Sequence, residues 1–402
     1  MPLYIGRKTI RKVPGTVIKA APIPKPKLIQ GFGTRERVGE LCRESGFGSV
    51  LLVTDETLFR LGLYKKATDP LESLGIKYSI FHKIDSEPDA GMISEGRAAA
   101  ETCGADCIVA LGGGSVLDSG KIIAAAARHP RMPLRHYLHK FAVIEGGSLP
   151  MINIPSTAGT GAECTVGAVV KNRAGTKNST VLIGLDVAYV ILDGELLVNA
   201  PESVTKWCAI DALSHGLEGL LADVSSSGED IRKSRECVRL IFEYLPVLLS
   251  DPHNAQARQA TLLAAYYGGN AINTQLAGYI HAFAHSIGAL YHIPHGKAIA
   301  WCLVPIVLAQ EHLRYEEMSA LAKHCGFADD NDPQDKAADK LISALKNLLD
   351  ICGLEKGCPL LKEKDYDKLT KMIDADSINY SPSVTFTDNE IKTLLDQIRR
   401  GY

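Results

Sequence analysis

The chain has 402 residues, with 44 Lys and Arg set against 46 Asp and Glu, so its formal net charge is -2. A balance of this kind excludes a polyelectrolyte grip on nucleic acid or on an anionic membrane surface. Apolar residues make up 46%, ample for buried cores, and the length fits two or three domains at roughly 150 residues each.

The first 35 residues carry eight Lys or Arg and no acid. They contain no serine, and Pro14, Pro22, Pro24 and Pro26 would break the amphipathic helix of a transit peptide. A basic, extended arm over residues 1–30, lying on the body, is expected instead.

From Gly48 to about Asp193, short β-branched runs alternate with helical stretches, the pattern of βαβ units on a parallel sheet. Strands are predicted over residues 49–54, 77–82, 106–111 and 151–154, with helices from Glu56, near 93–103 and over 115–128. Residues 180–184 and 187–192 read as late strands. After Pro201 the texture changes, and residues 203–222, 230–249, 255–271 and 335–352 show apolar side chains at helical spacing. The expected organisation is an α/β dinucleotide-binding domain over residues 1–195 and an all-α domain over 196–402, with residues 224–228 a loop inside the second. The longest nearly apolar run, 298–309, falls short of the roughly 20 residues a membrane-spanning helix needs. Ten scattered cysteines without a CxxC pair suit a reducing cytoplasm rather than a disulfide framework.

The run from Asp106 to Leu111 leads straight into Gly112-Gly113-Gly114-Ser115 and then into a helix containing Asp118 and Lys121. Strand, glycines and helix start make an anion site, because bare backbone lets a phosphate approach free N–H groups at the positive end of the helix dipole. The plainer reading is a tight turn with no ligand. This is not the GxGxxG fingerprint, and the acidic residue comes earlier. Asp55, ending the strand at Val53-Thr54, suits the two ribose hydroxyls of an adenosine and would repel the 2′-phosphate of NADP. It suits equally the N-cap of the helix starting at Glu56. A second loop of hydroxyls and glycines, from Pro155 to Glu163, follows the strand ending at Ile154 and supplies further donors where open α/β sheets bind ligands.

Four of the twelve histidines, His281, His285, His292 and His295, fall within fifteen residues, where uniform scattering would put fewer than one. Upstream, Asp211 and His215 stand four apart on one helix face, a natural pair of metal donors. His281 and His285 repeat that spacing. Imidazole and carboxylate together suit Fe(II) or Zn(II), and a catalytic site keeps one position open for substrate. Spacing leaves open which of the four late histidines join Asp211 and His215. Pro294-His295-Gly296 reads as a turn presenting His295 to a cleft. Lys297, Trp301 and Cys302 read as ordinary packing and surface residues.

GGGSVLDSGK (112–121), PSTAGTGAE (155–163), DALSHGLEG (211–219) and HAFAHSIGALYHIPHG (281–296), in that order, resemble the iron-containing (group III) alcohol dehydrogenases. The similarity runs from about Lys25 to about Leu395. It implies the dehydroquinate synthase-like fold, with an α/β dinucleotide-binding domain and an all-α domain. It implies a divalent metal, Fe(II) before Zn(II), held by Asp211, His215, His281 and His295, with His285 beside the nicotinamide and substrate as a catalytic, non-ligating residue. For NAD, in preference to NADP, it implies Asp55 at the adenosine ribose and Gly113, Gly114 and Ser115 at the pyrophosphate. Ser156, Thr157, Thr160 and Thr165 would line the cofactor, and Lys177 would reach the nicotinamide ribose, on alignment position alone. The implied reaction is reversible hydride transfer between a small alcohol and NAD, in a homodimer or larger homo-oligomer. A maleylacetate reductase-like enzyme and a hydroxyacid–oxoacid transhydrogenase are the neighbouring alternatives, and a non-catalytic metal or nucleotide binder is the distant one. The chain departs from the family at Glu87, where asparagine is frequent, at Ser381-Pro382-Ser383 in place of Asn-Pro-Arg, and in its long basic arm.

Overall fold

The structure, a computed structural model, describes residues 23–85, 88–171, 177–222, 227–378, 380 and 384–402, without the side chains of 177 and 178. The arm up to residue 22, Glu87, Ser381-Pro382-Ser383 and most of the 224–228 loop lie outside the described residues. Two compact units form, Ala21–Ala200 and Pro201–Tyr402.

The first unit runs β1 (Lys27–Gln30), α1 (Val38–Glu44), β2 (Ser49–Asp55), α2 (Glu56–Arg60), α3 (Lys65–Ser73), β3 (Lys77–Ile84), α4 (Ala90–Cys103), β4 (Cys107–Gly112), α5 (Gly114–Arg128), β5 (Phe141–Val143), β6 (Met151–Pro155), β7 (Gly167–Lys171), β8 (Lys177–Ile183) and β9 (Val187–Leu192). Six strands in the order β1-β9-β6-β4-β2-β3 make one parallel sheet. Strands β4 and β6 are buried at every position, which is why they read as continuous apolar runs: helices cover both faces of such a sheet. Small residues bring α5 onto the sheet, since a Cβ on Gly120 would stand 2.9 Å from the Ala110 Cβ.

The strand order carries the functional consequence. Chain leaving β2 turns toward β3, whereas chain leaving β4 turns toward β6, so the two connections diverge between β2 and β4. Ligands of open α/β sheets bind at the carboxyl ends of strands where connections diverge in this way. Asp55 ends β2 and Gly112 ends β4, one on each side of that crevice.

Two expectations need correction. Residues 27–30, assigned to an arm, form edge strand β1, paired in parallel with β9 from Lys27↔Tyr189 to Gln30↔Leu192. The four-residue strand flanked by prolines carries too little apolar pattern to show in sequence. Just beyond β1, Arg35 is buried and ion-paired to buried Asp193 at 2.7 Å, closing β1 onto the end of β9. In addition, β8 leaves the main sheet and joins β5 and β7 in a separate three-stranded sheet, antiparallel to β7.

The second unit is built from α6 (Glu202–Leu221), α7 (Gly228–Ser250), α8 (Ala255–Gln275), α9 (Tyr279–Tyr291), α10 (His295–Gln310), α11 (Tyr315–His324), α12 (Gln334–Ile351), α13 (Tyr366–Ser377) and α14 (Asp388–Arg400). Every residue of α6 from Ala209 to Leu221 is buried, so this helix is the unit's axis. Glycines let its neighbours approach: a Cβ on Gly268 of α8 would sit 3.1 Å from the His215 Cβ, and one on Gly296 of α10 only 2.5 Å from the Trp207 carbonyl oxygen. Among the described residues no helix is long and apolar enough to cross a membrane.

Candidate metal centre and nucleotide loops

In the first unit, Gly113 caps α5 in extended backbone without a side-chain cap, so the first turn presents the N–H groups that a helix start leaves without intrahelical partners. The second loop is clasped to the first: the Ser156 N–H donates to the Gly112 carbonyl at 2.9 Å. Its side chains stand over the glycines, with Thr157 Cγ2 3.5 Å from a Cβ position on Gly113 and Thr160 Cγ2 3.1 Å from one on Gly114. Any side chain at Gly114 would crowd this approach.

Lys121 fixes the arrangement from beneath. Its fully buried ammonium donates to Asp118 Oδ1 at 2.9 Å, to Thr165 Oγ1 at 3.0 Å and to the Gly167 carbonyl at 2.6 Å, while Asp118 Oδ2 accepts the Val169 N–H at 2.9 Å. The hydroxyl of Thr165 is thus already engaged, and its part in lining the loop is shared with Lys121. Beside Thr165, Glu163 is buried with Oε1 lacking a hydrogen-bond partner, and burial pushes its carboxyl up to about 7. Asp55 does cap α2, accepting the Leu58 N–H on Oδ1 at 2.9 Å, and Oδ2 accepts no bond from any described residue. Lys177 opens β8, and its side chain lies outside the described ones.

In the second unit, Asp211 Oδ1 stands 3.2 Å from His295 Nε2, 3.6 Å from His281 Nε2 and 3.8 Å from His215 Nε2. Donors about 2.0–2.2 Å from one tetrahedral ion lie roughly 3–3.5 Å from each other; the His295 separation falls in that range, and those of His281 and His215 lie just above it. The donor atoms of Asp211, His281 and His295 all fall within 4.8 Å of one another. His215 stands outside that group of three, 3.8 Å from Asp211 Oδ1 and stacked on His281 with centroids 4.7 Å apart.

Asp211 Oδ1 and His281 Nε2 are buried, yet neither has a hydrogen-bond partner. Buried polar atoms left so are costly, and their convergence without hydrogen-bond alignment is that of atoms sharing a third partner. The donor set therefore fits a divalent cation. Burial takes the neutral His215 imidazole down to about 4, ready to ligate. At His281, burial is overcome by the Glu218 and Asp211 carboxylates, which hold the ring up at about 10. Burial also opposes the charge on Asp211, but His215, His295 and His281 keep its carboxyl well below the usual range.

His295 corrects a further expectation. It is the first residue of α10, after Pro294 at the N-cap, rather than part of a turn. The chain reverses at His292, left-handed at φ 56 at the end of α9, and Gly296 lets the new helix settle against Trp207. His292 thus closes a helix and stays out of the donor group. Trp301 and Cys302 are buried core, and Lys297 pairs with Glu355 at 3.2 Å.

Three residues missed in the sequence complete the site. Glu218 accepts the backbone N–H of His281 at 3.2 Å and also binds its Nδ1. It lies one turn beyond His215 on α6, a spacing that would have revealed it. Asp376 and Tyr380 bind His285 Nδ1 at 3.0 and 3.1 Å, and nothing in their local sequence points to that.

Residues 24–193 match the family model described as iron-containing alcohol dehydrogenase, and residues 205–398 match its Fe-containing alcohol dehydrogenase C-terminal model. The chain belongs to the iron-containing alcohol dehydrogenase family and is an oxidoreductase acting on CH–OH groups. Membership implies a divalent metal and NAD(H). The 1,3-propanediol dehydrogenase of Klebsiella pneumoniae is 29% identical over 368 residues, covering 90% of this chain and 94% of that protein. The NAD-dependent methanol dehydrogenase of Bacillus methanolicus is 28% identical over 349 residues, covering 86% and 91%. The bifunctional aldehyde-alcohol dehydrogenase of Escherichia coli (strain K12) is 28% identical over 77% of this chain, which spans only 38% of that longer protein. Among solved structures, a 1,3-propanediol oxidoreductase superposes with a TM-score of 0.87 at 27% identity, covering 94% of this chain and 99% of that one.

Proposed function

We propose that the protein catalyses reversible NAD-linked oxidation of a small alcohol at a divalent metal, Fe(II) in preference to Zn(II), held by Asp211, His215, His281 and His295. The observation that carries this reading is the buried carboxylate–imidazole cluster whose atoms converge without bonding one another. When bound, the metal supplies Lewis acidity toward the alcohol oxygen, and NAD supplies the hydride-accepting ring.

The chain's own residues do the rest. Asp211 brings one negative charge and the three neutral imidazoles none, so a divalent site keeps a net charge near +1, suited to a developing alkoxide. Glu218 fixes the His281 proton on Nδ1 and leaves Nε2 as donor atom. Gly113, Gly114 and Ser115 receive the pyrophosphate on backbone N–H groups, Ser156, Thr157, Thr160 and Thr165 offer hydroxyls, and Asp55 takes the adenosine ribose through Oδ2. Lys177 is assigned to the nicotinamide ribose on the family resemblance alone. His285 receives or returns the hydroxyl proton.

The test is anaerobic purification with elemental analysis, followed on the same sample by NADH oxidation with formaldehyde, acetaldehyde, 3-hydroxypropanal, lactaldehyde and acetone. About one metal per chain and NADH consumption are expected, with His281→Ala losing both together. Full activity in a metal-free sample would sink the reading. Turnover without added NAD, when a hydroxy acid and an oxo acid are both supplied, would move it to transhydrogenation.

A further inference from the structure

We infer that Asp376 and Tyr380 are positioning residues that keep the His285 proton on Nδ1, so that Nε2 offers its lone pair to the substrate hydroxyl; this rests on the alcohol-oxidation reading above. The three side chains form a closed triangle. His285 Nδ1 lies 3.0 Å from Asp376 Oδ2, the Tyr380 hydroxyl lies 3.1 Å from that nitrogen, and it donates to the same Asp376 oxygen at 3.2 Å.

Hydrogen counting selects the tautomer. Tyr380 has one hydroxyl hydrogen, and an ionised carboxylate only accepts. Were that hydrogen given to Nδ1, the nitrogen would carry a lone pair facing Asp376 Oδ2 across 3.0 Å, acceptor against acceptor. The arrangement free of that clash has both His285 Nδ1–H and Tyr380 O–H donating to Asp376 Oδ2. In the neutral ring, Nε2 on the other edge is then unprotonated.

The same device occurs one helical turn earlier, where Glu218 binds His281 Nδ1 and frees Nε2. On α9, therefore, two histidines four residues apart each have a carboxylate on Nδ1, one for a metal donor and one for a ring outside the donor group. The two differ in access: the His281 side chain is 5% exposed and that of His285 42%. His285 also packs against His295, with centroids 5.1 Å apart, so a molecule reaching it is adjacent to the donor cluster. A carboxylate behind a catalytic imidazole fixes tautomer and ring orientation, and that is the work assigned to Asp376, with Tyr380 orienting the carboxylate.

The test uses the full-length Zn(II)-loaded protein with 15N-labelled histidine, in wild type, Asp376→Ala, Asp376→Glu and Tyr380→Phe. Wild type should show His285 as the Nδ1–H tautomer, and Asp376→Ala a mixture of both tautomers, with metal content and NADH affinity unchanged. With whichever carbonyl compound of the panel above wild type reduces fastest, kcat should fall about 10–100-fold in Asp376→Ala and about 2–10-fold in Tyr380→Phe, with partial recovery in Asp376→Glu. An unaltered tautomer, an unaltered kcat, or loss of metal in Asp376→Ala would each overturn the inference. The tautomer readout needs no turnover, so a wild type that reduces nothing in the panel defeats the alcohol-oxidation reading while the assignment of Asp376 is still decided by the spectra.

Discussion

Glu218 and His281 meet twice: the carboxylate accepts the backbone N–H of His281 through Oε1 and binds the ring Nδ1 through Oε2. One side chain on α6 thus satisfies an orphan N–H in the first turn of α9 and sets the proton of a donor imidazole. Glu218→Gln should weaken metal binding about 10–100-fold with little change in NADH affinity, read by chelator competition and fluorescence titration. Unchanged metal affinity would show that the contact is only a helix cap.

The two buried histidines make opposite demands on pH in metal-free protein. His281 is held at about 10 when folded against about 6.5 when unfolded, so its contribution is full below 6.5 and is lost as pH rises through 10. His215 is lowered to about 4, so the unfolded chain gains the proton first and stability falls as pH drops from about 6.5 toward 4. Glu163, raised to about 7 by burial, opposes His215 on the acid side, so the stability of the chelated protein should fall above pH 7, where folded His281 keeps a proton that the unfolded ring has lost. Urea midpoints from pH 5 to 9 measure this; a steady rise across that range contradicts it.

Gly296→Ala should displace His295. The added Cβ would meet the Trp207 carbonyl oxygen at 2.5 Å, and neither backbone can yield without moving the start of α10. A stability cost of about 1–3 kcal/mol and loss of metal affinity are expected together, from calorimetry and elemental analysis of the same preparation. Normal metal content alongside the stability loss would separate the glycine from the donor geometry.

Lys121→Met should leave the Asp118 carboxylate, itself mostly buried, without its cation. Breaking one side of such a pair costs about 3–5 kcal/mol, whereas replacing both partners by apolar residues costs far less. The double variant Lys121→Met with Asp118→Leu should therefore be more stable than the single one in urea. Additive losses would mean that the two residues act independently.

Asp55→Asn retains an oxygen for the Leu58 N–H and removes the charge, so the helix cap survives. NAD affinity should fall modestly and the preference over NADP should shrink about tenfold or more as repulsion of the 2′-phosphate is lifted. Paired titrations with the two reduced cofactors read this directly, and an unchanged ratio would remove Asp55 from cofactor choice.

Whether a feature could be read from sequence depended on the distance over which it is encoded. The parallel strands showed because each is an apolar run covered on both faces, and the donor group because Asp211 and His215, like His281 and His285, repeat within one helical turn. Strand β1 was hidden because Lys27–Gln30 acquires its role only by pairing with β9, far along the chain. The start of α10 was hidden because Pro294 and Gly296 both suggest a turn, although proline suits a helix entrance and this glycine serves packing against Trp207. Asp376 and Tyr380 are brought to His285 by tertiary structure alone, across 91 and 95 residues.

The proposed donors come from three separate helices: Asp211 and His215 from α6, His281 from α9 and His295 from α10. A bound ion would fasten all three and so favour the folded chain by mass action, about 2.7 kcal/mol at a free metal concentration one hundred times the Kd. Scarcity of metal would then shorten the lifetime of the protein as well as silence it, because a chain that opens more often is degraded more often. Cellular abundance would track metal supply with no change in the rate of synthesis.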